Sequence, residues 1–405
     1  VPEFPYSRLR RWPDVEAENL QAHDATDLLL VERALVLEVP GAETVVIGDE
    51  YGAITLPLAD AGLRGIRVHQ DLTTGRRALR RNAEELGLTG FTAHELDAAL
   101  LTGARLVLLQ LPKSLAELEE IADAVARWAA PDAVLIAGGR VKHMTLTQNE
   151  VLGRSFAHVQ AQRAERKSRL IVASEPLPVP EAPPFPVTAQ HGRLTLVAHG
   201  GAFAGARLDI GTRALLDALA LQSVGHEGGA QLRKNVPDRP EKRSNGPEND
   251  RSSGVVHGAA APHVLDLGCG SGALAVSYAL AHSGAHVTAT DRSAAAVASA
   301  RATAAANRVA DRVTVTHDDA ASELPDASFD VVLLNPPFHL GASVHTGAAT
   351  RLFEAAARVL RPGGELFTVY NSSLGYRAEL TRLIGATEQL RRTPKFTVTR
   401  SVRGS

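Results

Sequence analysis

Cysteine is nearly absent from this chain. The single one, Cys269, cannot form an internal disulfide, so a disulfide-stapled scaffold is excluded and a reducing compartment, the cytoplasm, is expected. Long apolar runs are missing as well. Runs such as Leu28 to Val31 and Val331 to Leu334 fall far short of the ~20 residues a membrane helix needs, so no membrane partner is expected. Val1 to Arg11 carries Arg8, Arg10 and Arg11 but no apolar segment behind them, and no secretory signal is expected there. Lysine is scarce, confined to positions 113, 142, 167, 234, 242 and 395, which reads as composition bias. The formal net charge of −2 excludes a uniformly basic nucleic-acid coat but leaves room for local basic patches. The 15 histidines show no metal-ligand spacing with Cys269, so no metal is expected.

What is present is globular. Of the 405 residues, 44% are hydrophobic and 22% charged, and the length implies about two domains. Residues 1 to about 174 alternate strand-like runs (Thr44 to Ile47, Ala104 to Leu109, Ala133 to Ala137, Leu170 to Ala173) with helical stretches (Thr74 to Leu86, Ser114 to Ala129). That alternation predicts βαβ units around a parallel sheet. A proline-dense segment follows, with six prolines between Pro176 and Pro186; residues 175–192 read as an extended linker. From about 193 to 405 the alternation resumes. Strands are expected at His263 to Leu267, Ala285 to Thr290, Val313 to His317, Phe329 to Leu334 and Gly364 to Tyr370. Helices are expected at Gly211 to Gln222, Gly272 to His282, Ser293 to Asn307 and Ala348 to Leu360. Residues 225–262, polar and nearly neutral, break the pattern and read as a disordered surface insertion, with an RNA-contacting arm as the sharper alternative.

The two halves resemble each other. Val45 to Ala53 lines up with Val264 to Gly272, Gly52 falling on Gly272. Asp71 then falls on Asp291, and Val107 to Lys113 on Val332 to Phe338. Three matches in the same order suggest duplication of one α/β unit.

In the second half a strand enters the pattern Asp266-x-Gly268-x-Gly270-x-Gly272 and leaves it as a helix. Glycines allow a tight turn and close approach of a ligand, and the helix N-terminus offers free N–H groups. Asp291, at the end of the next strand, is placed to accept two ribose hydroxyls. A dinucleotide site could use similar parts. Asp266, however, would repel a pyrophosphate and welcome a cationic amino group, which favours S-adenosylmethionine, with its ammonium and no phosphate. A second motif, Asn335-Pro336-Pro337-Phe338, follows the strand Phe329 to Leu334. Two prolines fix that loop before substrate arrives. An exocyclic amine on a planar base is a poor nucleophile. If Asn335 Oδ1 and the Pro336 carbonyl accept its two N–H groups, its lone pair can be aimed at a methyl donor, while Phe338 offers a stacking face.

These motifs resemble class I S-adenosylmethionine-dependent methyltransferases. More narrowly the chain resembles the bacterial ribosomal RNA guanine-N2 methyltransferases, with Phe203, Leu208 to Thr212 and Pro394 to Val398 as further supporting residues. The resemblance implies an α/β fold of two tandem Rossmann-like methyltransferase domains, the first degenerate. Residues 1–174 would be a degenerate recognition and scaffold domain, and 193–405 the catalytic domain. The first copy has Val46 for Asp266, Glu50 for Gly270 and Gln110-Leu111 for Asn335-Pro336. In the second copy the family implies Asp266, Gly268, Gly270 and Gly272 around the amino-acid part of the cofactor and Asp291 at its ribose. Asp318 or, preferably, Asp319 lies near the adenine, and Asn335 to Phe338 hold the target base. The expected partner is ribosomal RNA or a ribosomal subunit, and a monomer is expected. A protein-glutamine or adenine-N6 methyltransferase is the alternative; Phe338 in place of tyrosine leans against it. A non-catalytic RNA-binding assembly protein is the third reading, against which the intact second loop argues. Two basic clusters, Arg76, Arg77, Arg80 and Arg81, and Arg391, Arg392, Lys395, Arg400 and Arg403, are either solvated faces or phosphate contacts.

Overall fold

A computed structural model of the chain describes residues 4–17, 19–220, 261–337 and 346–405. Most of the insertion expected at 225–262 therefore lies outside the described residues, as does Phe338. The first half builds a seven-stranded sheet from β1 Thr44–Ile47, β2 Ile66–His69, β3 Phe91–Ala93, β4 Leu106–Gln110, β5 Val134–Arg140, β6 Phe156–Ala161 and β7 Ser168–Pro176. The strand order is β3-β2-β1-β4-β5-β7-β6. Strands β3 through β5 run parallel, and β7 enters antiparallel between β5 and β6. The helices α1 Ala25–Leu37, α2 Thr55–Asp60, α3 Thr73–Leu86, α4 Ala98–Leu101, α5 Leu115–Trp128 and α6 Leu146–Leu152 connect these strands and flank them. Helices on both faces explain why β1 is buried along its whole length: every residue from Thr44 to Ile47 is shielded.

Strand pairing enters both ends of the proline-dense segment. Strand β7 runs on through Pro176, its last residue, where a missing N–H costs least. Val187–His191 forms β8, paired antiparallel to β9 Leu194–Ala198. Prolines occupy the stretch between them.

The second sheet contains β10 His263–Leu267, β11 His286–Asp291, β12 Val313–His317, β13 Phe329–Leu334, β14 Leu360–Asn371, β15 Thr387–Arg392 and β16 Phe396–Val402. Its order, β12-β11-β10-β13-β14-β16-β15, repeats that of the first sheet strand for strand. The registers agree too. Val46 pairs with Leu108 in the first sheet and Asp266 with Leu333 in the second, as the sequence alignment of the halves requires. Helices α7 (residues 210–220), α8 Ala273–Ala281, α9 Ala294–Ala306, α10 Thr346–Val359 and α11 Arg377–Leu383 complete this half. Helix α9 is built almost wholly of alanine and small residues. Alanine is the best helix former, and its short side chain permits close approach of neighbours. Ser293 caps the helix by accepting from Ala296 N–H at 3.2 Å.

The chain divides into two compact units. One comprises Val1–Arg207 together with Gly268–Val276 and Ala289–Glu323; the other comprises Leu208–Leu267, Ser277–Thr288 and Leu324–Ser405. In the first unit β9 lies along α9, where Val197 N–H donates to Thr303 Oγ1 at 3.0 Å and His199 N–H to Ser299 Oγ at 2.9 Å. Among the described residues no helix is long and apolar enough to cross a membrane, and no group of three or more His, Cys, Asp or Glu is placed to hold a metal ion.

Candidate active site

In the first unit the glycine-rich loop leaves β10 with Gly268, Gly270 and Gly272 at φ of 79°, 53° and 80°, a region that favours glycine. The N–H groups of Gly268 and Cys269 both donate to the Thr290 carbonyl, at 2.9 and 3.0 Å. Gly270 N–H donates to Asp291 Oδ2 at 2.9 Å. A Cβ added at Gly268 or Gly270 would meet nothing within 4 Å, so open space lies over the loop. Gly272 is different: its Cβ would come within 3.0 Å of Ala300, so this glycine lets the loop press against α9.

Asp291 also accepts from Ser293 N–H at 3.0 Å. Burial pushes its carboxyl above the usual carboxylate range, the two N–H groups oppose that rise, and the charge of Asp71 adds to it. Gly270 and Asp291 line a cavity of about 580 Å³ that also reaches Gly48, Glu50, Gln110 and Lys113. Of the two adenine candidates, Asp318 is fully engaged. Its carboxylate accepts from Asp319 N–H (2.8 Å), Ser322 Oγ (2.6 Å), Glu323 N–H (2.8 Å) and Arg77 Nη2 (3.0 Å). Asp318 thus shapes a turn, and Asp319 rides on it.

The second unit holds the other sequence-selected residues. Asp266 is fully buried in β10, paired in register with Leu333, and Asn335 follows the end of β13 directly. Both therefore stand at the carboxyl edge of adjacent parallel strands, the switch point at which ligands bind in such sheets. Pro336 is buried and Pro337 exposed. The Asn335 amide is held at one end: Nδ2 donates to Asp209 Oδ2 at 2.9 Å and to Thr212 Oγ1 at 3.0 Å. Its Oδ1 is buried with no hydrogen-bond partner among the described residues. Two acceptors on one nitrogen fix which way the amide points, so the oxygen is the end left to receive a donor. Gly211 leaves room beside it, since a Cβ there would lie 3.3 Å from Asn335 Oδ1.

The positioning by Asp209 and Thr212 was not assigned from sequence. The available signal was an Asp directly ahead of a helical run, the pattern of an N-cap. Asp209 does accept from Thr212 N–H at 2.9 Å, so one carboxylate caps α7 and grips Asn335.

The basic clusters are mostly tied down. Arg76 pairs with Glu95, Arg77 with Asp318 and Glu323, and Arg81 with Glu85. In the C-terminal cluster Arg391 pairs with Asp217 and Arg400 with Glu365 and Glu388, while Arg403 donates to main-chain carbonyls. Arg80 stays exposed on α3.

Comparison with known proteins agrees with this fold. The Methyltransferase small domain family matches residues 255–400, and the RLMG N-terminal domain family matches residues 3–177. The chain is 34% identical to a ribosomal RNA large subunit methyltransferase G of Streptomyces coelicolor, over 98% of this chain and 97% of that protein. It is 31% identical to the protein of the same name from Pseudomonas fluorescens, over 98% of each. Among solved structures it superposes on a T. thermophilus 16S rRNA N2 methyltransferase, determined with AdoMet and guanosine, with a TM-score of 0.69 and 24% identity, covering 94% of this chain and 92% of that one. The chain is thus an S-adenosylmethionine-dependent methyltransferase, with its methyltransferase domain in the second half. Within that class the chain belongs to the ribosomal RNA large subunit methyltransferase G family.

Proposed function

We propose that this chain transfers the methyl group of S-adenosylmethionine to the exocyclic N2 of a guanine in large-subunit ribosomal RNA, acting in the cytoplasm. The observation that carries the reading is the Asn335 amide, tethered through its nitrogen with its oxygen buried and unpartnered among the described residues. The relatives' shared name supplies the RNA, and the guanosine-bound neighbour suggests the base.

The residues present suit the cofactor. Open space over Gly268 and Gly270 gives room for its amino-acid part beside buried Asp266. Asp291 keeps lone pairs for two hydroxyls after accepting two N–H groups. Asp319 is the candidate near the adenine because the Asp318 carboxylate is spent on its own turn. When bound, S-adenosylmethionine supplies a methyl group already activated by its positive sulfur. The protein's share is alignment. Asn335 Oδ1 and the Pro336 carbonyl accept the amine's N–H groups and hold its lone pair on the line of attack, and the proline-fixed loop lowers the cost of ordering. Phe338, beyond the described residues, is the proposed stacking face. Residues 1–174 are then a recognition and scaffold domain and 193–405 the catalytic one.

The test is mass analysis of nucleosides after incubating the protein with unmodified ribosomal RNA. N2-methylguanosine is expected, and Asn335→Ala should cut its rate of formation far more than the S-adenosylmethionine affinity read by calorimetry. Methylated adenosine, methylated protein glutamine, or full activity of Asn335→Ala would overturn the assignment.

A further inference from the structure

Asp71 is the residue that the internal repeat sets against Asp291. It stands at the end of β2 as Asp291 stands at the end of β11, yet the loop beside it has Glu50 where a cofactor loop needs Gly270. The Asp71 carboxylate is used otherwise. Its Oδ1 accepts from Ala295 N–H at 2.8 Å, and its carbonyl accepts from Ala294 N–H at 2.9 Å. Thr73 N–H returns a bond to the Arg292 carbonyl at 2.8 Å, and Leu72 bridges Ser293. The corner after β2 is thus stitched, antiparallel, to the corner after β11 that carries Asp291. Ala294 and Ala295 begin α9, whose first N–H groups have no partner within the helix, so a carboxylate there both caps and favours the helix dipole.

Arg77, one turn into α3, makes a second such tie. Its guanidinium reaches Asp318 at 3.0 Å, Ser322 Oγ at 3.0 Å and Glu323 at 2.7 Å. Asp318 is only 1% exposed, so this charge would otherwise be buried without a cation. Asp318 N–H donates to the Asp291 carbonyl at 3.0 Å, which joins the two tied corners to each other.

We propose that Asp71 and Arg77 are positioning residues for the cofactor: they lock the Asp291 corner and the Asp318–Glu323 turn in their binding geometry. The inference rests on the reading that Asp291 and Asp319 hold the cofactor's ribose and adenine. It gives the first half a direct part in the chemistry although it keeps no complete site of its own. Neither residue is a catalytic residue, because each acts through the main chain or through Asp318.

The test is steady-state kinetics of the full chain with ribosomal RNA, alongside calorimetry with S-adenosylmethionine. Asp71→Ala and Arg77→Ala should each raise the KM and Kd for the cofactor about tenfold, the scale of one lost charge-assisted contact, while kcat and the KM for RNA stay within about twofold. Asp71→Asn should recover most of the affinity, because an amide oxygen can still accept from Ala295 N–H. Arg77→Lys should recover less, because a compact ammonium lacks the planar fork whose two nitrogens span Ser322, Asp318 and Glu323. Unchanged cofactor affinity in both alanine variants overturns the proposal. So does a fall in kcat at constant cofactor KM, the mark of a merely structural role that lowers the active fraction. Asp291→Asn and Asp319→Asn are measured beside them. If these weaken cofactor binding and the alanine variants do not, the brace alone is wrong; if all four are silent, the cofactor-site reading falls with it.

Discussion

Removing the grip on Asn335 should disable the enzyme without touching its cofactor. Asp209→Ala deletes the carboxylate that accepts from Asn335 Nδ2 at 2.9 Å and leaves only Thr212 Oγ1 at 3.0 Å. A hydrogen bond to a charged group is worth about 1.5–3 kcal/mol. If most of that restraint is felt as the base amine is aligned, kcat should fall about 10- to 100-fold. S-adenosylmethionine affinity should hold, since the bonds of Asp209 go to Asn335 and to the start of α7. The variant also loses the α7 cap, about 1 kcal/mol of stability, so thermal unfolding must be followed in parallel. Two controls isolate the effect. In an Asn335→Ala background, Asp209→Ala should cost nothing further, because there is no amide left to orient. Gly211→Ala sets alanine's better helix propensity against a Cβ 3.2 Å from Asp209 Oδ2, so stability should stay within about 1 kcal/mol of the parent. Its Cβ would nevertheless lie 3.3 Å from Asn335 Oδ1 and crowd the approach of a donor, so kcat should drop. Asp209→Ala with kcat within twofold of the parent, or losses that simply add in the double variant, would refute the reasoning.

Two further predictions concern stability. Gly272→Ala places a side chain at φ +80° and 3.0 Å from Ala300, so it should cost about 1–3 kcal/mol of unfolding free energy and weaken cofactor binding, read by denaturation and calorimetry. Burial, aided by the charge of Asp49, pushes the Asp27 carboxyl up from 3.8 to about 8. The folded chain then keeps a proton that the unfolded chain releases, so stability is full below the unfolded value and is lost as pH rises through about 8. Urea midpoints should fall between pH 5 and pH 9, and Asp27→Asn should flatten that slope; an unchanged slope would remove Asp27 as its cause.

The parts legible in the sequence were those with strict local signatures. Strands β1, β10, β12 and β13 were read to the residue, because each is a short apolar run bounded by turn formers. The repeat between the halves was visible because glycines with positive φ cannot be replaced freely: Gly48, Gly52, Gly268 and Gly272 hold φ between 79° and 86°. What escaped was what only tertiary contacts create. Strand β15 is the edge strand and β16 lies between it and β14; their charged residues, Glu388, Arg391 and Arg400 among them, look like loop or solvated helix until paired. Arg77 read as one of four arginines on a surface helix. Nothing in its neighbourhood signalled a partner 241 residues away. Asp209 carries no sequence signal beyond that of a helix cap, because a carboxylate that caps α7 and one that also grips Asn335 share one pattern.

The decayed first copy also shows which part of the machinery is insufficient by itself. Gln110 falls at the place of Asn335 in the repeat, and its amide too is tied through nitrogen to a carboxyl group in the first turn of a helix, Asp27 on α1. Asn335 is tied to Asp209, ahead of α7, in the same sense. An amide held by a helix-start carboxylate therefore persists in a half that lacks the acidic glycine loop. On the proposed reading of the second half, what the first half lacks is donor binding: Val46 would offer no charge for an ammonium where Asp266 stands, and Glu50 brings a side chain where Gly270 leaves open space. Restoring Asn and Pro at positions 110 and 111 alone should thus yield no second active site, because an aligned amine has nothing to attack until a sulfonium donor is seated beside it.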